Sequence, residues 1–257
     1  MRLKIGPTNN EVMNKATTQV DNCTQQLRRA ILSGELAVGE RLAPERRLAE
    51  RLKVGRVTVR SALGRLAAEG LLAVRQGSGY TVRDFRRHGG PGLLEPILDI
   101  ALEDEQLPEL AAELMMVRRL LLAGLLERLC SSSNEARRRR IADAVASFAS
   151  LLSREASKPQ LAEAENAIYD TLLQTAGSVV IGLSLKPLLA VIYSDQLRDA
   201  VLAAPEENLA AWHKLLGWLE RPTLNGIPVL IDEQKLRDER AVTELDATIR
   251  WSRVARA

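Results

Sequence analysis

The stretch Pro44–Val82, PERRLAERLKVGRVTVRSALGRLAAEGLLAVRQGSGYTV, decides the fold. Proline suits a first helical position, so Pro44 opens a short helix that runs to about Leu52. Lys53-Val54-Gly55 reads as a tight turn. A further helix follows from about Arg56 to Glu69, with Val59, Leu63 and Leu66 on its inner face, and Gly70 ends it. Two short strands, 71–74 and 80–82, are joined by Arg75-Gln76-Gly77-Ser78-Gly79, whose glycines allow the positive φ of a tight hairpin. Upstream, Val20, Cys23, Leu27 and Ile31 keep the rhythm of an amphipathic helix that stops at Ser33-Gly34. Three helices and a hairpin make a winged helix-turn-helix.

In that architecture the third helix enters the major groove with its first residues at the base edges. Here that end carries Arg56, Thr58 and Arg60. Arg56 and Arg60 are four apart and share one face. Arginine can give two hydrogen bonds to guanine, and threonine suits a phosphate or a thymine methyl. Arg46, near the start of the second helix, is placed for the flanking backbone, and the wing tip Gln76-Gly77 for the minor groove. The alternative for any single arginine is a solvated helix face. Charge distribution supports the DNA reading. Residues 1–88 hold 17 Lys and Arg against 8 Asp and Glu, and the remainder 19 against 25, so a net +3 conceals a basic module joined to an acidic one.

The run from Gln26 to Val82 resembles the GntR family of bacterial transcription regulators. The shared pattern is G-x-x-x-x-G-x-x-L, P-E-R-x-L-A, R-x-T-V-R-x-A-L-x-x-L and G-x-G-x-x-V. The resemblance implies operator contacts by Arg46, Arg56, Thr58, Arg60, Gln76 and Gly77. Gly55 stands where the family usually has a capping serine or threonine; glycine caps at a loss of a few tenths of a kcal/mol and has no hydroxyl for phosphate.

The rest of the chain reads as helices: 93–103, 108–130, 134–155, 160–176, 179–203, 206–220 and 230–253, with Ile227–Ile231 the one doubtful place. The fold class is therefore mainly α, a winged helix-turn-helix followed by an antiparallel helical bundle. The expected organisation is a mobile tail (1–19), a DNA-binding domain (20–84), a linker (85–92, from the glycines and proline of DFRRHGGPG) and a bundle (93–257) for effector binding and dimerisation. The amino terminus has no apolar run resembling a signal peptide, and no stretch reaches the roughly 18 apolar residues of a membrane span. Two cysteines, Cys23 and Cys130, suit a reducing cytoplasm. Two histidines exclude a three-histidine metal site. No Ser, Cys or Thr is paired with a His and an acid, so the chain does not read as an enzyme.

On a helical wheel Arg118 falls among Ala111, Leu114, Leu121, Leu122 and Leu125. A guanidinium there must meet an anion, either a ligand or an Asp or Glu of the bundle. His213, between Trp212 and Leu215, reads as a partly buried packing residue. The bundle resembles the FadR-type effector domain, many of whose members bind a divalent metal through one Asp and three His. This chain has Glu165 at the Asp position, Tyr169 at the first His position, His213 at another and Asp238 near the last, a poor set for a metal. The resemblance is closest to the metal-free, acyl-CoA-responsive FadR proteins. It implies a homodimer on an inverted-repeat operator, no cofactor, no metal, and an acyl-CoA or related carboxylate held by Arg118, Tyr169 and Tyr193. A small organic acid, or a bundle that serves only to oligomerise, remain as alternatives.

Overall fold

Helix formation begins earlier than the polar amino terminus suggests. The computed structural model describes residues 9–75, 79–103, 106–132 and 134–254, and its first helix, α1, is Asn9–Leu32. Residues 9–19, expected as mobile tail, are helical; residues 1–8 of that tail lie outside the described residues. No glycine or proline separates Asn9 from Val20, and adding residues to an existing helix avoids the cost of a new nucleus. Helix α2 is Glu45–Leu52, with Pro44 as its N-cap rather than its first helical residue. It ends at Lys53, whose φ of 54° is left-handed. Helix α3 is Arg56–Ala68 with Gly55 as N-cap and no side-chain cap.

The hairpin strands β1 (Leu72–Arg75) and β2 (Gly79–Val82) are antiparallel, with Leu72 opposite Val82 and Arg75 opposite Gly79. The segment 39–42 runs along the other edge of β2. Gly39 N donates to Val82 O, Val82 N to Glu40 O and Leu42 N to Tyr80 O, each at 2.9 Å. Leu42, Leu71, Leu72 and Val82 thereby join one core with Cys23, Leu27 and Ile31 of α1, Leu48 and Ala49 of α2, and Val59, Ala62, Leu63 and Leu66 of α3.

The expected linker proves to be structured. Phe85–His88 forms the single turn α4, with the Asp84 side chain accepting from Arg86 N at 3.0 Å. A 3-10 turn at Pro91–Leu93 leads into α5, Leu94–Glu103. Leu93 is buried in the amino-terminal core, and Phe85 and Ile97 pack against it. The chain divides into two compact units, Met1–Ile100 and Ala101–Ala257. Glycine and proline at 89–92 supply turns, and the apolar residues around them keep the segment on the first unit.

The second unit contains α6 (Leu107–Ser132), α7 (Glu135–Ser153), α8 (Lys158–Ala176), α9 (Val179–Ile192), α10 (Arg198–Val201), α11 (Pro205–Glu220) and α12 (Ile227–Val254). Local chemistry sets several starts. Asn134 caps α7 by accepting from Arg137 N at 2.9 Å, and Ser157 and Gln160 form a capping box on α8. Helix α6 packs against α8, α9 and α12, and α7 against α8 and α11. The helix expected over 179–203 is two: α9 ends at Tyr193, the chain turns through Ser194 and Asp195, and Leu197 and Leu202 return to the core on either side of α10. Burying those two leucines outweighs continuing a helix that would carry them elsewhere. The doubtful stretch Ile227–Ile231 is the start of α12.

Two glycines of the first unit test this packing. A Cβ on Gly70, at φ +80°, would stand 1.9 Å from the carbonyl oxygen of His88, whereas one on Gly64 of α3 would meet nothing within 4 Å. Gly70→Ala is therefore expected to cost more than about 2 kcal/mol, the upper end of the left-handed penalty alone. Gly64→Ala should stabilise by roughly 0.5–1 kcal/mol, the usual gain in a helix interior. Urea denaturation of both variants checks the pair.

Candidate nucleic-acid interface and a buried polar site

Helix α3 has two faces of opposite character. Val59, Ala62, Leu63 and Leu66 are fully buried, the 3.6-residue period puts Val57 on the opposite face, and Arg56 and Arg60 flank the buried stripe and are exposed. Arg28 of α1 grips Glu69 through Nε at 2.9 Å and Nη2 at 2.6 Å, and Arg65 pairs with Asp21, so α1 holds the far end of α3. The first turn of α3 is left projecting. Arg56 is exposed, Thr58 half-buried, and Val57 78% exposed, unusual for a valine. Arg60 is exposed but engaged by Glu45 at 2.8 Å. Arg46 is exposed on α2 and lies 3.8 Å from Glu50. Four of the six expected DNA-contacting residues thus sit on α2 and the start of α3. Gln76 and Gly77 lie outside the described residues.

The second unit buries a polar cluster. Arg118 of α6 is 2% exposed and ion-paired with Asp238 of α12, whose other oxygen takes Arg119. Gln234 Nε2 donates to Asp238 at 2.8 Å, Arg237 donates to Gln234 and to Asn208 Oδ1, and Asn208 Nδ2 donates to Glu165 at 3.1 Å. The second Glu165 oxygen accepts from Trp212 Nε1 at 3.0 Å. Tyr169 meets Trp212 edge-on, with ring centroids 5.1 Å apart. Desolvation works against the Arg118 charge, but the carboxylates of Asp238 and Glu165 offset it and hold the guanidinium protonated. Burial raises the Tyr193 phenol well above its ordinary value, and Glu165 and Tyr169 raise it further, so it is a neutral hydroxyl.

The cluster brings together Arg118, Tyr169 and Tyr193, which the resemblance assigns to an effector, and Glu165, Tyr169 and Asp238, which it assigns to former metal positions; His213 of that second set is not among them. The Arg118 anion within the protein is Asp238. His213 is exposed, correcting the expectation of a packing residue; Trp212 turns inward instead. A Glu165 that needed a donor was the signal for Trp212 and Asn208, but nothing local identified Gln234 or Arg237.

A divalent metal does not fit these residues. Both Glu165 oxygens and both Asp238 oxygens already accept hydrogen bonds, the neighbouring aromatic groups are Tyr169 and Trp212, and the buried Arg118 guanidinium would repel a cation. Among the described residues no group of three or more His, Cys, Asp or Glu is disposed to hold a metal. No helix is long and apolar enough to cross a membrane among the described residues.

A basic three-helix unit with a hairpin and an exposed arginine-bearing helix start defines the winged helix-turn-helix class of DNA-binding modules. Residues 19–82 match the family described as bacterial regulatory proteins, gntR family, and this segment is a GntR-family helix-turn-helix domain. Over 74 residues the chain is 55% identical to the HTH-type transcriptional regulator Mce2R of Mycobacterium tuberculosis, covering 29% of this chain and 31% of that protein. Over 104 residues it is 32% identical to the fatty acid metabolism regulator protein of an Enterobacter species, covering 40% of this chain and 43% of that protein. The chain thus spans less than half the length of these curated relatives, which are regulators rather than enzymes. The structure of Lar, which controls expression of the Listeria monocytogenes agr system, shares the fold. Its TM-score is 0.55 at 15% identity, over 88% of this chain and 95% of Lar.

Asp238→Asn removes the charge that two arginines share. It is expected to destabilise the second unit by about 3–5 kcal/mol, the usual cost of orphaning a buried partner. The double variant Arg118→Met, Asp238→Asn should lose clearly less than the sum of the two single losses. Denaturant unfolding of the three variants reads this directly.

Proposed function

We propose that the protein is a ligand-controlled transcription regulator of the FadR branch, a homodimer acting in the cytoplasm on a short inverted-repeat operator. The observation that carries the reading is the exposed start of α3, where Arg56 and Arg60 reach solvent beside a fully buried stripe. Arg56 and Arg60 read base edges, Thr58 meets phosphate or a thymine methyl, Arg46 meets the flanking phosphate backbone, and Gln76-Gly77 of the wing reach the minor groove. A twofold protein matches a palindromic site. Exposed Leu120 on α6 and Val179, Val180 and Leu183 on α9 are apolar surface suited to a partner subunit.

The effector best supported by the buried cluster is a small carboxylate. Three guanidiniums (Arg118, Arg119, Arg237) face two carboxylates (Glu165, Asp238), an excess of one positive charge. Among the described residues Arg118 Nε, Arg237 Nε and Tyr193 Oη have no hydrogen-bond partner. Unpaired buried donors and an unbalanced charge are what a single bound anion relieves. Residues Met115, Arg118, Glu165, Tyr193, Asn208 and Arg237 line a cavity of about 10 Å³ there, room for about one water. A small acid requires that cavity to widen, and it then takes the free Nε donors of Arg118 and Arg237 while Asp238 keeps its ion pairs. An acyl-CoA is the second reading, favoured by the likeness to fatty acid metabolism regulators, and requires the helices to part to a cavity of several hundred Å³, about the size of ordinary ligand pockets.

Binding to an operator duplex should fall steeply with salt, because phosphate neutralisation releases counterions. Arg56→Ala should cost about 1–3 kcal/mol at one base position, and Arg46→Ala should weaken all sequences alike. Tyr193→Phe gives the effector test a sign. Removing an unpaired buried hydroxyl should stabilise the free protein by about 1 kcal/mol while weakening carboxylate binding. Titration calorimetry with short carboxylates and with acyl-CoAs, with and without operator, checks both, and linkage requires DNA and ligand to shift each other's affinity by the same factor. Unchanged affinity in an Arg56→Ala, Arg60→Ala double variant that still folds would refute the α3 assignment.

A further inference from the structure

Arg60 does not face solvent alone. Its Nε donates to both oxygens of Glu45 at 3.2 Å, and its Nη2 donates to Oε2 at 2.8 Å. One edge of the guanidinium is therefore filled by a carboxylate, while Nη1 and the outer hydrogen of Nη2 stay available. The Arg60 side chain is 71% exposed and that of Glu45 27%. Glu45 begins α2 and is fixed by the burial of Leu48 and Ala49 on that short helix. The carboxylate is thus anchored and the arginine is the mobile partner.

A carboxylate at this place is costly for phosphate binding, in a unit whose charge is otherwise strongly positive. We infer that Glu45 is a positioning residue for base readout, holding the Arg60 fork in the one orientation that presents its free edge to a guanine. A long side chain that is already ordered loses less freedom on contact, so the specific complex gains. Every complex, specific or not, carries the repulsion between Glu45 and the DNA backbone, so discrimination rises at the expense of general affinity. This rests on the proposal that α3 reads DNA. A competing role exists. Glu45 lies in the first turn of α2, where a negative charge favours the helix dipole. That role would change stability whether or not Arg60 is present.

The test uses the full chain and two probes: a duplex that it selects from a randomised pool, and a scrambled duplex of the same length. Glu45→Gln should lower the preference for the selected duplex by about three- to tenfold, the range expected for ordering one long side chain. It should also steepen the salt dependence by up to about one unit of log–log slope, for one carboxylate removed. Glu45→Asp keeps the charge but loses reach, so it should lower the preference and leave the slope unchanged. In an Arg60→Ala background, Glu45→Gln should no longer alter the preference, although any effect on melting temperature persists. A Glu45→Gln protein with full discrimination, or an equal loss with and without Arg60, would overturn the inference while Arg60→Ala still impairs recognition. Full discrimination in Arg60→Ala alone would overturn the α3 reading, and this inference with it.

Discussion

Burial of one face of α3 is the constraint on which the amino-terminal unit depends. Val59, Ala62, Leu63 and Leu66 have no exposed surface, and fully burying a Val or Leu is worth about 1.5–3 kcal/mol. That packing leaves the helix no freedom to rotate about its axis. The exposed positions of Arg56 and Arg60, on the flank of the buried stripe, are therefore fixed by apolar residues. The same core extends through the hairpin to Leu93, so the wing strands and the segment behind them are part of one packed body.

Two of the arginine–carboxylate pairs in the chain sit in opposite surroundings. Between Glu45 and Arg60 both groups reach solvent, and such a pair contributes at most about 1 kcal/mol. Its value lies in geometry. Between Asp238 and the pair Arg118 and Arg119 the groups are nearly dry. There the attraction has to offset a large desolvation cost, so the arrangement survives only as a complete network with Gln234, Arg237, Asn208 and Glu165. The first pair can be perturbed with little effect on folding. The second couples α6 to α12 so closely that anything competing for Arg118 acts on both helices.

Most of the first unit was legible in the sequence because its signals are local. Gly55, Gly70 and Pro44 mark boundaries that fall within a residue or so of those observed, and Val59, Leu63 and Leu66 identify the buried face. The GGPG stretch misled because turn residues look alike whether a segment is free or packed; Leu93 and Ile97, which decide the matter, are ordinary members of a helical pattern. In the second unit the helices followed from periodicity, except where the choice between one long helix and α9 with α10 depended on where Leu197 and Leu202 find room. The cluster was half legible. Arg118 stood out as a charge on an apolar face, but its partner lies 120 residues away, and no local pattern distinguishes Asp238 from the other acids of α12.

Lys53 closes the turn between α2 and α3 with a left-handed backbone, φ 54° and ψ 40°. Glycine or asparagine would hold that conformation more easily, and a residue with a Cβ gives up about 1–2 kcal/mol there. The side chain is exposed and makes no ion pair among the described residues. What the lysine adds is an exposed cation two residues before the N-cap of α3. A small strain in the backbone is thus exchanged for a longer electrostatic reach: the turn can draw in a polyanion before any hydrogen bond has formed, and encounter rate rather than fit is what such a charge improves.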